Sequence, residues 1–230
     1  ASLLTVSMPQ TFSYDLVTTA AGFAVGMGES GGPYSIRGYN NTGTQIWSYV
    51  PSEVVWGMTR IPSVNSDQVD DIACFIGFAS TITVLDGVTG TVIYSTGFGS
   101  SISGIVKTHT GPWIPGNYNI GDMMIFNGAK QVVRLNPRDG VPVWNSGLDA
   151  SYVMGVDIIG PAGSGGLSDI SIACGTLNNN FYVLNGNTGA VKFTYSFGNG
   201  NTDFAVEKVS RLDSINRLES SNWGSNGNEI

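Results

Sequence analysis

The sequence contains little of the chemistry on which most hydrolases depend. Among 230 residues there is one histidine, His109, and there are two cysteines, Cys74 and Cys174. One histidine cannot build a zinc site without other ligands, and no serine or cysteine pattern around it indicates a nucleophile. The cysteines occupy the same position in two non-adjacent sequence repeats, so we expect two buried thiols rather than a disulfide.

Charged residues are scarce and mainly acidic. They make up 12% of the chain, with 10 Lys and Arg against 17 Asp and Glu, giving a net charge of −7. Nucleic acid is excluded as a partner because phosphate binding needs clustered cations. No apolar run approaches the ~20 residues that span a bilayer, so no membrane span is predicted. The few lysines and the N-glycosylation acceptor Asn40-Asn41-Thr42 favour an extracellular or cell-surface protein.

Glycine is abundant, with 32 residues, and it anchors a motif that occurs four times at separations of 47, 50 and 49 residues. The motif is a small or polar residue, Gly, three further residues, and an aromatic. An apolar strand and a turn rich in Asp or Asn precede it, which together predict a β-hairpin. Because the aromatics recur at the same position of each repeat (the repeat phase), we interpret them as packing between repeats. The four pairs are Gly43 with Trp47, Gly90 with Tyr94, Gly140 with Trp144, and Gly189 with Phe193.

Two further strands precede each hairpin, and the second of them follows an acidic residue. We expect these acids to accept backbone N–H groups where a loop meets its strand. They are Asp71, Asp122, Asp169 and, at the end of the chain, Glu229. Four antiparallel strands in about 48 residues predict an all-β fold, a β-propeller of four-stranded antiparallel blades with about four blades visible.

The repeat boundaries predict an N-terminal extension or edge strand over residues 1–21 and propeller repeats over 22–230. Residues 22–50 provide only the last three strands of a blade, and residues 203–230 provide part of another. The termini therefore lie in an incomplete or shared blade. Either the two ends complete one blade together, or the chain is part of a larger propeller. The expected blades are 22–50, 53–98, 101–148, 151–198 and the partial 203–230.

The hairpin motif resembles the blade repeat of the pyrroloquinoline-quinone-like (quinoprotein-type) propeller superfamily. The segments Val84–Tyr94 and Tyr182–Gly189 carry its strand, its Asx turn and its Thr-Gly pair. The resemblance covers about residues 22–230 and implies the propeller fold. The superfamily includes dehydrogenases, assembly scaffolds and cell-surface binding proteins, so it does not select an activity. The chain lacks the adjacent cysteines of quinone-dependent alcohol dehydrogenases, and no quinone is predicted.

The segment 62–72 is similar to the calcium-binding loops of integrin-type (FG-GAP-like) propeller repeats, which follow the pattern Asp-x-Asn-x-Asp-Gly-x-x-Asp. Calcium needs six to eight oxygens, which alternate residues of a tight loop can supply. Ser63 stands where the family has Asp, and Gln68 stands where it has Gly. The alternative is a turn whose polar side chains bond their own backbone. The candidate ligands are the side chains of Ser63, Asn65, Asp67 and Asp71 and the carbonyl of Val69.

Aromatics outside the repeat phase are the candidate ligand contacts. Trp113 and Tyr118 lie in the long loop 110–121, and the further off-phase aromatics are Tyr34, Trp56 and Trp223. The sequence favours a non-catalytic extracellular propeller that acts as a binding or scaffold domain for a protein or carbohydrate, with calcium as a candidate stabiliser. Two alternatives stay open. One is a quinone-dependent dehydrogenase-type enzyme domain, and the other is an assembly subunit whose open blade receives a partner's strand.

Overall fold

A computed structural model describes thirteen ranges of the chain, and all regular structure within them is β-strand in antiparallel sheets. Two compact units divide the chain. The first comprises Ala1–Gly99 with the turn Pro137–Gly140, and the second comprises Ser100–Asn136 and Val141–Ile230. The described ranges are 6–7, 9, 12–65, 67–77, 81–98, 102–106, 123–127, 131–148, 153–159, 171–176, 180–196, 206–211 and 218–222.

The first unit contains two four-stranded meanders. In each, consecutive strands pair, as the hairpin signals between apolar runs predict. The first sheet consists of β1 (Phe12–Thr19), β2 (Gly22–Gly28), β3 (Tyr34–Asn40) and β4 (Gln45–Tyr49). The second sheet consists of β5 (Val55–Ile61), β6 (Asp71–Ile76), β7 (Thr81–Leu85) and β8 (Val92–Gly97).

The second unit repeats this pattern twice and then begins it again. Its third sheet consists of β9 (Ile102–Val106), β10 (Met123–Asn127), β11 (Gln131–Leu135) and β12 (Pro142–Gly147). The fourth consists of β13 (Val153–Ile159), β14 (Ser171–Thr176), β15 (Asn180–Asn185) and β16 (Val191–Ser196). A two-stranded sheet of β17 (Val206–Arg211) and β18 (Leu218–Asn222) follows.

Strand β1 corrects the interpretation of the chain ends. It pairs with β2 from Phe12↔Gly28 to Thr19↔Gly22 and supplies the first strand of the first sheet. That sheet is complete without residues 203–230, so the alternative in which the two ends share one blade is wrong. In the part of the chain that the structure describes, β17 and β18 form a sheet of two strands.

The core of the first unit lies between its two sheets. Strand β6 is buried along its whole length, as its continuous apolar run Ile72–Ile76 requires. Its Cys74 is fully buried and is a free thiol, and burial raises the pKa of that thiol. Buried side chains from both sheets form one cluster, which contains Val17, Ala24, Ile36, Trp47, Val55, Met58, Ile72, Cys74, Ile76 and Leu85.

Candidate functional site

The hairpin turns are built by an Asx side chain and a glycine in the left-handed region. Asp86 Oδ1 accepts hydrogen bonds from Val88 N at 2.8 Å and Thr89 N at 2.6 Å. Gly90, at φ 70°, closes the turn by donating its N–H to the Asp86 carbonyl at 2.8 Å. Asn185 and Gly189 repeat this arrangement. The motif therefore needs an Asx to cap the turn and a glycine four residues later to bear the positive φ.

In the first unit, each motif aromatic packs on the next turn of this kind. A Cβ on Gly90 would lie 2.6 Å from Trp47 Cδ2, and Trp47 Nε1 donates a hydrogen bond to the Gly87 carbonyl at 3.3 Å. Tyr94 lies against Gly140 in the same way, and its hydroxyl donates to the Pro137 carbonyl at 2.8 Å. Burial raises the pKa of the Tyr94 hydroxyl, in line with its donor role.

The second unit contains the same contact. A Cβ on Gly189 would lie 2.6 Å from Trp144 Cε3, and Trp144 Nε1 donates to the Gly186 carbonyl at 3.1 Å. The buried Arg134 also donates to that carbonyl, at 3.1 Å. The glycine of the motif is thus the surface on which an aromatic ring lies, and the carbonyl three residues earlier is its hydrogen-bond acceptor.

Phe193, the fourth motif aromatic, differs from the others. It is 53% exposed, whereas Trp47 is 7% exposed. Every described residue of β16 is exposed. The expected packing partner of Phe193 is therefore missing from the described residues.

The loop after β5 brings three of the five predicted calcium ligands together. Ser63 Oγ lies 3.1 Å from Asn65 Oδ1 and 3.0 Å from Asp67 Oδ1, and it donates to this pair. Asp67 Oδ1 also accepts from Val69 N at 2.8 Å. Gln68 adopts φ 67°, the left-handed conformation that favours glycine. Oxygens about 3 Å apart can share one cation, because calcium binds each of its oxygens at ~2.3–2.6 Å.

Asp71, the fourth predicted ligand side chain, holds the loop to the next turn. It is fully buried, its Oδ2 accepts from Val64 N at 2.6 Å, and its Oδ1 accepts from Gly87 N at 3.1 Å. Burial raises its pKa to about 6, against the lowering effect of the two backbone N–H groups. The neighbouring charges of Asp67 and Asp86 raise it further. The Asp71 carboxylate therefore connects the loop 63–69 to the Asp86–Gly90 turn, and its ionised form is disfavoured there.

Asp86 belongs to the same cluster although its sequence position does not suggest it. Asn65 Nδ2 donates to Asp86 Oδ2. Strands β6 and β7 pair with Ile72 opposite Leu85, which places Asp71 opposite Asp86 just beyond that pair. The signal that could have identified it is the β6–β7 register. In the described part of the chain, no group of three or more His, Cys, Asp or Glu side chains could hold a metal, so a cation here would depend on Ser63 and Asn65.

Trp56 is an exposed off-phase aromatic of the first unit. It is 53% exposed on β5, and Leu16 is 55% exposed on the neighbouring strand β1. Asp15 Oδ2 accepts a hydrogen bond from Met58 N at 2.7 Å, which joins these two strands. We refer to Phe12, Leu16 and Trp56, all exposed, as the β1–β5 surface. The candidate contacts Trp113, Tyr118 and Trp223 lie outside the described residues, as do His109, Asp122, Asp169 and Glu229.

No protein-family model matches the chain, and no curated protein sequence matches it significantly. Solved structures do resemble it. BamB from Moraxella catarrhalis gives a TM-score of 0.61 at 16% identity, covering 93% of this chain and 57% of that one. Sqt1 from Saccharomyces cerevisiae gives 0.63 at 13% identity, covering 91% and 56%. BBS1N in complex with ARL6DN gives 0.60 at 12% identity, covering 90% and 60%.

These structures are β-propellers, and the chain has a β-propeller fold. It spans less than two thirds of the length of each of them. At this level of identity the similarity concerns the fold and not an activity. No helix long and apolar enough to cross a membrane occurs in the part of the chain that the structure describes.

Proposed function

We propose that this propeller is a non-catalytic binding or scaffold domain whose β1–β5 surface receives a protein partner. The observation that carries the proposal is the exposure of Leu16 and Trp56 on two neighbouring strands that the Asp15–Met58 hydrogen bond joins. Large apolar side chains that a rigid sheet holds in water favour burial against another molecule. Rigid strands also lower the entropy lost on binding.

A protein partner suits this surface better than a carbohydrate. An aromatic ring can stack on a sugar, but the exposed Leu16 and Phe12 of the neighbouring strand offer no hydrogen bonds to hydroxyl groups. Aromatic and aliphatic anchors are typical of the centre of a protein interface. The printed description of BBS1N, a complex with ARL6DN, gives one similar fold bound to another protein.

The test compares retention of proteins from the native source by the immobilised chain and by surface variants. Trp56→Ser and Leu16→Ser should each reduce the retained partner about tenfold. Val50→Ser is the matched control, because Val50 is an exposed aliphatic residue of the same unit outside the surface. Equal retention by all variants would contradict the proposal. Dye-linked dehydrogenase activity after addition of pyrroloquinoline quinone and calcium would favour the enzyme alternative instead.

We also propose that the domain works outside the cell or at its surface. Support comes from the few lysines, the net charge of −7 and the Asn40-Asn41-Thr42 acceptor, whose Asn40 is the last residue of β3 before the turn to β4. Brief protease treatment of intact cells, followed by mass spectrometry, should release peptides of this chain. Release only after cell lysis would contradict an exposed location.

Calcium is the proposed stabilising cofactor of the loop 63–69. Ser63 Oγ, Asn65 Oδ1, Asp67 Oδ1 and the Val69 carbonyl would hold it, and Asp71 would keep the loop in place through Val64 and Gly87. The ion would supply positive charge between oxygens that now share one hydroxyl proton. Asp67 provides the only formal charge among these four ligands, which predicts weak binding.

Thermal unfolding with calcium and with chelator tests this site. Ser63→Asp restores the family's first ligand and should enlarge the calcium-dependent rise in the melting temperature, whereas Asp67→Ala should abolish it. Magnesium at equal concentration is the control, because it prefers rigid octahedral sites. A calcium shift that is the same in both variants would place the ion elsewhere.

A further inference from the structure

The first strand of each four-stranded sheet contains a β-bulge at the same place. The register shifts insert one extra residue into each of these strands, namely Tyr14 of β1, Trp56 of β5, Ser103 of β9 and Met154 of β13. Bulges bend a strand and change the direction of the side chains beside them. The residue directly after the bulge is glycine in three strands, at Gly57, Gly104 and Gly155, but in β1 it is Asp15. The repeat therefore does not require a side chain at this position, and the carboxylate of β1 departs from it.

The Asp15 carboxylate lies at the junction of β1 and β5. Its Oδ1 accepts a hydrogen bond from Leu16 N at 2.8 Å, and its Oδ2 accepts from Met58 N at 2.7 Å. Both donors are neutral backbone groups, so among the described residues no cation contacts this partly buried carboxylate. A carboxylate has about four acceptor sites, so each oxygen of Asp15 can accept one further hydrogen bond.

The space beside Asp15 Oδ2 is open towards β5. A Cβ on Gly57 would have one atom of the described residues within 4 Å apart from its chain neighbours, and that atom is Asp15 Oδ2 at 4.0 Å. The exposed Trp56 directly precedes Gly57, and the exposed Leu16 directly follows Asp15. The β1–β5 surface therefore combines apolar side chains with a negative charge that another molecule can reach.

The charge of the first unit indicates the chemistry of that molecule. The unit contains eight Asp and Glu, three Arg and no Lys, which gives a net charge of −5. Such a surface attracts a cationic group and repels an acidic one. Arginine fits better than lysine, because its planar guanidinium can donate to both oxygens of one carboxylate and is more weakly hydrated than an ammonium group.

We propose that the β1–β5 surface recognises an arginine of its protein partner, with the guanidinium on Asp15 and apolar neighbours of that arginine against Leu16 and Trp56. This inference rests on the proposed binding function and adds the chemistry of the bound segment. A charge pair in a desolvated part of an interface provides specificity, while the apolar contacts exclude water around it.

The probe is a set of heptapeptides displayed on phage. They are selected on the immobilised full chain and counter-selected against Trp56→Ser, so that the retained peptides depend on the β1–β5 surface. We expect them to contain arginine beside an aromatic or aliphatic residue, in preference to lysine. In a fluorescence anisotropy titration of one selected peptide, replacement of its arginine by the neutral isostere citrulline should weaken binding about tenfold.

Variants of the chain assign this effect to Asp15. Asp15→Asn should bind the arginine peptide about tenfold more weakly than wild type does, and it should bind the arginine and citrulline peptides equally. Equal binding of the citrulline peptide by wild type and Asp15→Asn shows that the variant keeps its fold.

A second variant and a charge control complete the set. Gly57→Leu keeps Asp15 and covers its open side, and Gly57 lies outside the left-handed region, so the variant should weaken the arginine peptide without backbone strain. Asp139→Asn is the matched control, because Asp139 is an exposed carboxylate of the same unit on the β11–β12 turn. It should leave the affinity unchanged.

The outcomes separate this inference from the proposed function. Selected peptides that depend on Trp56 but lack arginine, or that bind wild type and Asp15→Asn equally, would overturn the arginine and leave the binding surface standing. Equal affinity for arginine and lysine peptides would overturn the recognition of a guanidinium. Dimerisation of the chain that Asp15→Asn abolishes would identify a second copy as the occupant. Absence of any peptide that depends on Trp56 would contradict the proposed function itself.

Discussion

Asp71 should make the first unit more stable in mild acid than at neutral pH. The residue is fully buried between the loop 63–69 and the Asp86–Gly90 turn, and it is ionised at pH 7 although burial raises its pKa to about 6. Asp71→Asn removes the charge and keeps the shape of the side chain. The amide can accept only one of the two N–H groups that Asp71 now binds.

The size of the effect follows from the difference between folded and unfolded pKa values. The folded value lies above the unfolded value of 3.8, so the folded state binds the proton more tightly. The stabilisation is fully present below pH 3.8 and is lost as pH rises through 6. With 1.36 kcal/mol per pKa unit, the full range corresponds to about 3 kcal/mol. About 2.5 kcal/mol of it falls between pH 4 and pH 7.

The assay is urea unfolding followed by tryptophan fluorescence at pH 4, 5, 6 and 7 in calcium-free buffer. Trp47 is buried in the first unit and reports on it. The free energy of unfolding of wild type, minus that of Asp71→Asn, should be about 2.5 kcal/mol larger at pH 4 than at pH 7. Subtracting the variant removes the titration of every other carboxylate.

Asp67→Asn is the matched control, because the charge of Asp67 raises the pKa of Asp71 and an asparagine can still accept from Val69 N. It should reduce the pH dependence without removing it. Parallel stability profiles for wild type and Asp71→Asn would refute the reasoning. A difference that shrinks in acid would show that the two backbone N–H groups outweigh burial and lower the pKa.

Three other predictions concern the inter-blade contacts and the loop. Gly90→Ala should lower the free energy of unfolding by about 2–5 kcal/mol, because it adds a clash with Trp47 to the strain of positive φ. Gly31→Ala, at φ 83° in open space, should lower it by about 1 kcal/mol. Equal urea midpoints for the two variants would contradict this. Trp47→Phe should cost about 1–3 kcal/mol by leaving the Gly87 carbonyl without its indole donor, and Trp56→Phe should cost little by the same assay. Ser63→Ala should unfold at lower urea than wild type, since Asn65 and Asp67 lose their shared donor.

The repeat and its strand order could be predicted because their signals are local. The turn formed by Asp86 and Gly90 between two apolar strands is determined by its own residues. Three further copies of the motif give the spacing of the repeats. Strand β1 carries no such motif, because the first strand of each blade is defined by its neighbours and not by a turn. The sequence therefore predicted an extension or edge strand over residues 1–21 but not that β1 completes the first sheet.

The candidate site was predictable only in part for the same reason. Ser63, Asn65 and Asp67 are close in sequence, and their convergence follows from the loop. Asp86 enters the cluster only through the β6–β7 register, which no spacing within the loop encodes. The exposure of Phe193 was also beyond prediction, because its motif is the same as in the copies whose aromatic ring packs on a following glycine turn.

The pairing of a ring on one blade with a turn on the next makes the repeat directional. Each repeat of about 48 residues carries one motif aromatic and one glycine turn on which the aromatic of the preceding repeat can pack. A duplicated repeat therefore fits beside the original without a compensating mutation. Deletion of one repeat likewise leaves an aromatic and a glycine turn that can still pack together. The contact between aromatic and turn sets the direction in which successive blades pack but not their number. The number of blades can therefore change in evolution by gain or loss of whole repeats.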